Sequence, residues 1–203
     1  PENPEVFLLM SSISFDSSKA GIFWTLCTGG NLVITEKQAE QDIAHIEGLI
    51  KKHAVTHTLM LPSLYKLILE HGSVSNLTSL KAVVVAGEAC LPSLRDLHFD
   101  KLAYVNLYNE YGPTEATVWC TAYHIKKSNA KVVPIGTPVA NARIYLLNEN
   151  LGIVPFGAVG DIYVGGPGIT SGYINRPELT EKVFVNNPFS NVVNDLLYKT
   201  GDR

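Results

Sequence analysis

Seven consecutive residues, Asn109-Glu110-Tyr111-Gly112-Pro113-Thr114-Glu115, bring together an amide, an aromatic ring, a Gly-Pro pair, a hydroxyl and two carboxylates. Glycine reaches dihedrals that other residues avoid and proline fixes its own, so the pair predicts a sharp turn that presents its neighbours. Tyr111 offers a flat apolar face on which a purine can stack, and Asn109 offers a donor and an acceptor on one amide. Thr114 can donate to a phosphate oxygen, while Glu115 is a hard-oxygen ligand suited to magnesium. A second segment, Tyr198-Lys199-Thr200-Gly201-Asp202, ends in a carboxylate that the preceding glycine lets point outward. A carboxylate accepting from two vicinal hydroxyls is the usual way to hold a ribose. Each residue alone also reads as an ordinary turn residue; the combination points to nucleotide chemistry.

Other chemistry is poorly supported by the sequence. Gly165-Gly166-Pro167-Gly168 lacks the spacing of a phosphate loop, and no Gly-Lys-Ser/Thr occurs. His53 and His57 are four apart, but a helix is expected to end near the first and a strand to carry the second, which argues against a metal pair. No Ser-His-Asp or Cys-His arrangement has local context for covalent catalysis. The 203 residues carry a formal charge of −3 with no basic block, which argues against nucleic acid or an anionic membrane as partner. No apolar run reaches membrane-spanning length and no signal-peptide pattern opens the chain. Three separated cysteines, Cys27, Cys90 and Cys120, read as buried thiols of a cytoplasmic protein. The chain starts without Met and stops directly after Thr200-Gly201-Asp202, and so reads as a piece of a larger polypeptide.

The elements that must position these residues alternate over the first two thirds. Strands are expected at Val6–Ile13, Leu32–Ile34, Thr56–Leu61, Lys81–Ala86 and Tyr104–Tyr108. Helices are expected at Ser17–Leu26, from a Thr35 cap with Gln38 as its capping-box partner, at Pro62–His71 and from Pro92. In the second helix Ile43, Ile46, Leu49 and Ile50 share a face, and Glu47 stands four before Lys51 as an ion pair. Such alternation predicts an α/β fold with a mainly parallel sheet, whose ligands sit at the carboxyl ends of strands. Three segments occupy such ends: Ala86-Gly87-Glu88, the loop Asn109–Glu115, and more weakly Met60–Ser63. From about Lys131 the texture turns to Gly, Pro and short β-rich runs (Ala142–Leu147, Gly160–Val164, Leu196–Thr200), with one helix at Pro177–Phe184. The expected organisation is therefore an α/β subdomain over 1–130 and a small β-rich, barrel-like subdomain over 131–203.

With these motifs in place, the chain resembles the adenylation domains of nonribosomal peptide synthetases, within the adenylate-forming enzymes that include acyl-CoA synthetases and luciferases. The resemblance runs in order through Ser14–Ser18, Ala86-Gly87-Glu88, Asn109–Glu115, Pro134–Pro138, Gly160–Gly166, Gly172-Tyr173 with Arg176–Thr180, and Tyr198–Asp202. It implies part of the N-terminal core of such an enzyme. It also implies that Asn109, Tyr111 and Gly112 border adenine, Gly87-Glu88 line its pocket, Thr114 meets phosphate, Glu115 holds magnesium and Asp202 takes the ribose hydroxyls. Thr114 and Glu115 would be the catalytic pair. The implied reaction is attack of an amino-acid carboxylate on the α-phosphorus of ATP, releasing pyrophosphate and leaving an aminoacyl-adenylate. The aminoacyl group then passes to a phosphopantetheine thiol on a carrier domain, beside a condensation domain of the same synthetase. Asp16 matches the position that pairs with the substrate ammonium; its alternative reading is an N-cap. The side-chain pocket would be Ser17, Ala20, Met60, Val84, Ala86, Glu110, Val118 and Trp119. A buried carboxylate at Glu110 demands a partner, either a phenol or a basic side chain. The sequence departs from the family at Ala20-Gly21, where an aromatic and an acidic residue are usual, and at Thr170-Ser171, where Ala-Arg is usual. The family's Ser/Thr/Gly-rich phosphate loop with its Lys and the C-terminal subdomain with the catalytic Lys have no counterpart here, so the 203 residues alone are expected not to complete catalysis. Two other readings stand beside this one: fatty- or aryl-acid activation to a CoA thioester, and a non-catalytic module that keeps only the cleft.

Overall fold

Parallel strands covered on both faces must be apolar throughout, and the run Ala82–Ala86 (AVVVA) meets that demand. The structure, a computed structural model, describes residues 2–36 and 42–203. Two compact units form, one from Pro1–Glu110 with Tyr123–Gly136 and the other from Tyr111–Ala122 with Thr137–Arg203. The expected boundary after residue 130 lies near one of these crossings, whereas the excursion over 111–122 has no compositional sign.

In the first unit the order along the chain is β1 (Val6–Leu9), α1 (Ser17–Cys27), β2 (Asn31–Ile34), α2 (Ile43–His53), β3 (His57–Met60), α3 (Pro62–His71), β4 (Ala82–Ala86), α4 (Pro92–Lys101), β5 (Asn106–Tyr111) and β6 (Thr121–Ile125). The strands are arranged β2-β1-β3-β4-β5-β6, and the pairs among β1 to β5 are all parallel. The order reverses at β1, and the helices follow suit. Ile46, Ile50, Tyr65, Ile68, Leu69 and Leu94 from α2, α3 and α4 join Leu8, Met60, Val83, Val85 and Leu107 in one buried cluster. Helix α1 lies on the other face, where a Cβ at Gly21 would stand 2.6 Å from the Phe7 ring and Trp24 meets Phe7 and His57 edge-on.

Several expected elements shift. Helix α2 starts at Ile43 under an Asp42 cap whose side chain accepts from the His45 amide at 3.1 Å, so Thr35 does not open it; Gln38 lies outside the described residues. Strand β5 runs on through Asn109, Glu110 and Tyr111, which were expected in a loop. Cys27 is exposed at the end of α1, while Cys90 and Cys120 are buried and burial pushes both thiols up to about 11. Glu47 is only 6% exposed and does not serve Lys51: its carboxylate accepts from the Ser73 amide at 2.5 Å and from Asn76 Nδ2 at 3.4 Å.

The second unit holds β7 (Thr137–Pro138), β8 (Arg143–Leu147), β9 (Asp161–Gly165), α5 (Pro177–Val183), β10 (Phe184–Asn186) and β11 (Leu196–Lys199). Four of these make an antiparallel sheet in the order β10-β11-β9-β8. Thr121 and Ala122 of β6 pair with Pro138 and Thr137. Among the described residues, no helix is long and apolar enough to cross a membrane and no cluster of three or more His, Cys, Asp or Glu can hold a metal.

The anchoring role of Glu47 is measurable. Glu47→Ala removes the acceptor of the Ser73 amide and is expected to cost about 0.5–2 kcal/mol, read as a lowered urea midpoint at unchanged slope.

Candidate functional site

In the first unit, strand register sorts the candidates. Ala86 pairs with Glu110, Val84 with Tyr108 and Leu59 with Val84, so Val84, Ala86 and Glu110 share a face with Leu59 and Tyr108. Helix α1 covers the β1 and β3 end of that same face through Gly21 and Trp24, and Ser17 and Ala20 are half-buried on the same helix, whose fully buried residues are Ser18, Gly21 and Thr25. Met60 and Asn109 are not brought there. Both are in register with Val85, which puts them on the opposite face: Met60 sits in the apolar cluster, and Asn109, 4% exposed, donates its amide to the Pro134 carbonyl at 2.9 Å.

Asp16 stands in the N-cap position of α1, but its backbone is helical (φ −64°, ψ −29°) and its side chain caps nothing. Its Oδ2 is buried without a hydrogen-bond partner. Glu110 shares that condition: Oε2 is buried and unpartnered, and burial pushes the carboxyl up to about 7. Glu88 has the opposite fate. It is exposed, and its two oxygens accept from Ser63 N and Ser63 Oγ, each at 3.1 Å, capping the start of α3. The Gly87 turn before it has φ +83°, a conformation that suits glycine.

In the second unit, Gly112 has a reason different from the one expected. Its φ is not in the left-handed region; instead a Cβ would fall 2.3 Å from Trp119 Cα and 2.7 Å from Cys120 N. That close approach lets Cys120 N reach the Tyr111 carbonyl at 2.8 Å. The left-handed residues are Thr117 (φ +58°) and Val118 (φ +76°), which follow the single helical turn Thr114–Ala116. Thr114 is exposed. Trp119 lines a cavity of about 380 Å³ with Cys120, Asn141, Val164, Pro167 and Ile169.

The Tyr111 hydroxyl donates to Asp202 Oδ2 at 2.6 Å, and burial, then this bond, raises the phenol well above its usual range. Asp202 is fixed from behind. Its carbonyl accepts from Ile162 N at 2.9 Å, and Thr200 bonds back to the Ile162 carbonyl. One residue before Ile162, Asp161 meets Lys199 Nζ at 3.0 Å and Arg203 Nε at 2.6 Å, contacts that hold its carboxyl below the usual range. Glu115 accepts a hydrogen bond on Oε1 from the Tyr173 hydroxyl. Tyr198 joins this group: burial, then the neighbouring Tyr173 hydroxyl and the Glu115 charge, push its phenol upward.

Residues 2–174 match the protein family described as AMP-binding enzyme. The chain belongs to that family. Among curated relatives of this AMP-binding enzyme, bacitracin synthase 3 of Bacillus licheniformis is 41% identical over 195 residues, 96% of this chain and 3% of that protein. Tyrocidine synthase 1 of Brevibacillus parabrevis is 38% identical over 196 residues, 96% of this chain and 17% of that protein. The N-terminal subdomain of Klebsiella oxytoca NpsA, solved in complex with 3-hydroxybenzoyl-AMSN, superposes with a TM-score of 0.86 at 28% identity, covering 98% of this chain and 49% of that one. The chain thus spans a small part of the curated relatives it matches. The nonribosomal peptide synthetase FmoA3 superposes with a TM-score of 0.90 at 26% identity, covering 99% of this chain and 22% of that one, so the α/β fold with a separate small antiparallel sheet is shared with it.

The AMP-binding enzyme contains functional-looking residues that motif reading passed over. Asp161 sits at the head of a strand and carries no local sign of its two cationic partners 38 and 42 residues later. Tyr173 and Tyr198 both lie inside sequence motifs of the resemblance, yet only the fold shows that they converge on Glu115.

Two outcomes check this geometry. Gly112→Ala forces backbone apart and is expected to cost about 1–3 kcal/mol, measured by thermal unfolding. Glu110 loses its proton near pH 4.5 when unfolded and near 7 when folded, so the native state holds more protons in that window and stability declines as pH rises through it. Glu110→Gln is expected to flatten this decline, worth ~1–3 kcal/mol at pH 8, in chemical denaturation at pH 4.5, 6 and 8.

Proposed function

We propose that this chain is part of an adenylation domain that activates an amino acid with ATP and passes the aminoacyl group to a phosphopantetheine carrier domain in nonribosomal peptide synthesis. The observation that carries this reading is the unpartnered, buried Oδ2 of Asp16 at the start of α1. A carboxylate oxygen deprived of water and of any cap is a receptor for a cation, and the ammonium of an amino acid is the cation this family position would take. An acyl-CoA synthetase binds an acid without an ammonium and has no use for it.

The remaining roles follow from the chemistry of each group. Asp16 fixes the substrate ammonium and so aims the substrate carboxylate. Asp202, held by Tyr111 on one oxygen, keeps the other for ribose hydroxyls. Thr114, exposed at the head of its turn, donates to phosphate. Glu115 fits magnesium as a single hard-oxygen ligand, the rest of the shell coming from phosphate and water. Magnesium, when bound there, neutralises phosphate charge. With two anionic reactants, positioning and charge neutralisation supply most of the rate. The condensation and carrier domains of the same synthetase are the partners of this reading, and the free thiols accord with a cytoplasmic setting.

Glu110 deepens the reading to a substrate class. Its unpartnered Oε2, on a face with the small Ala86, accepts the hydroxyl of a tyrosine-like side chain, with arginine or lysine as the next candidates.

The test is amino-acid-dependent pyrophosphate exchange by the full-length polypeptide across the proteinogenic set. Exchange is expected to peak with tyrosine, and Asp16→Ala is expected to lower it about a hundredfold or more, since one partner of a buried charge pair is removed. Retained amino-acid exchange in Asp16→Ala overturns the ammonium assignment. Equal exchange with small aliphatic amino acids overturns the Glu110 assignment.

A further inference from the structure

The Tyr173 hydroxyl donates to Oε1 of Glu115, and the segment that carries Tyr173 is bound to the Glu115 turn along its length. Thr170 N donates to the Glu115 carbonyl at 2.9 Å, and Thr117 Oγ1 donates to the Gly168 carbonyl at 2.5 Å. Tyr173 is itself pinned. Its amide donates to Thr180 Oγ1 at 2.9 Å, and Thr180 Oγ1 donates to the Arg176 carbonyl at 3.0 Å at the start of α5. The glycine before it is demanded by the same contact: at Gly172, with φ +122°, a Cβ would fall 2.3 Å from Thr180 Cγ2. The Tyr173 ring packs edge-on against Phe184 at 5.9 Å, and Phe184 in turn against Tyr198 at 5.1 Å.

We infer that Tyr173 is a positioning residue for Glu115: its hydroxyl holds Oε1 and thereby turns the carboxylate so that it can take a divalent cation bound to nucleotide phosphate. The inference rests on the proposed function of this site and adds to it a residue to which no role was given. The argument is one of freedom. A glutamate has three side-chain torsions, and on a single helical turn nothing in its own backbone fixes the last of them. A phenol on one oxygen, anchored through Thr180 and Phe184, removes that freedom. A tyrosine supplies one donor and no charge, so it orients the carboxylate without competing for its negative charge as a lysine would.

The experiment is Mn2+ binding in the presence of ATP, without amino acid, followed by electron paramagnetic resonance on the full-length polypeptide, for the parent, Tyr173→Phe, Glu115→Gln and the double variant. Tyr173→Phe keeps the ring against Phe184 and removes only the hydroxyl. It is expected to weaken nucleotide-dependent Mn2+ binding about tenfold, the worth of one hydrogen bond to a charged group. Tm and the KM for the amino acid are expected to stay unchanged. Added to Glu115→Gln, it is expected to cause no further loss, because its effect passes through Glu115. Unchanged or tighter Mn2+ binding in Tyr173→Phe overturns the inference, as does a full additional loss in the double variant. A parent chain that binds no Mn2+ with ATP overturns the proposed function and this inference with it.

Discussion

The parallel register of β4 and β5 decides which side chains of the first unit can meet a ligand together. Because Ala86 lies across from Glu110 and Val85 across from Asn109, the two polar residues that adjoin in sequence leave the sheet on opposite faces. One face is sealed by α2, α3 and α4, and there an amide such as Asn109 must find a backbone partner, which Pro134 provides. The other face carries α1 at one end, where Gly21 lets the helix approach the Phe7 ring, and presents Glu110 beside the small Ala86. A slip of one residue would exchange these roles.

The charges of the molecule divide by whether they have found partners. Asp161, Asp195 and Glu47 are carboxylates fully employed by the fold: Asp161 with Lys199 and Arg203, Asp195 with Arg143 and Asn187, Glu47 with Ser73 and Asn76. Asp16 and Glu110 each keep a buried oxygen with no partner, and this costs folding free energy that the apolar core offsets. A group retained at such a cost is more readily understood as waiting for a ligand than as scaffold.

Much of the scaffold was legible in the sequence because apolar runs between turn residues leave little choice. Pro62–His71 and Pro92 opened their helices where expected, and Val6, Ala82 and Asp161 lie in strands where alternation or apolar runs placed them. What escaped depended on partners distant in sequence. Glu47 read as a surface ion pair because helix periodicity carries no knowledge of Ser73. Gly112 read as a dihedral requirement, whereas Trp119 and Cys120 make it a requirement of space. Asn109–Tyr111 read as loop because three polar or aromatic residues before Gly-Pro resemble one; in a parallel sheet, backbone pairing with Val85 and Ala86 outweighs that local signal. Asp16 had the right residue type for a cap, yet its backbone is already helical, a choice that leaves no trace in composition.

The discontinuity of the second unit matters for anyone recombining such chains. Residues 111–122 belong with 137–203, although the polypeptide visits the first unit in between. An exchange of modules between homologues that cuts at the change of texture near 131 would carry Glu115 from one parent and Tyr173 from the other. A graft that moves both stretches together keeps their mutual contacts from a single lineage. The natural seam of this protein for chimera building is therefore spatial, and it passes between Glu110 and Tyr111, one residue before the end of β5.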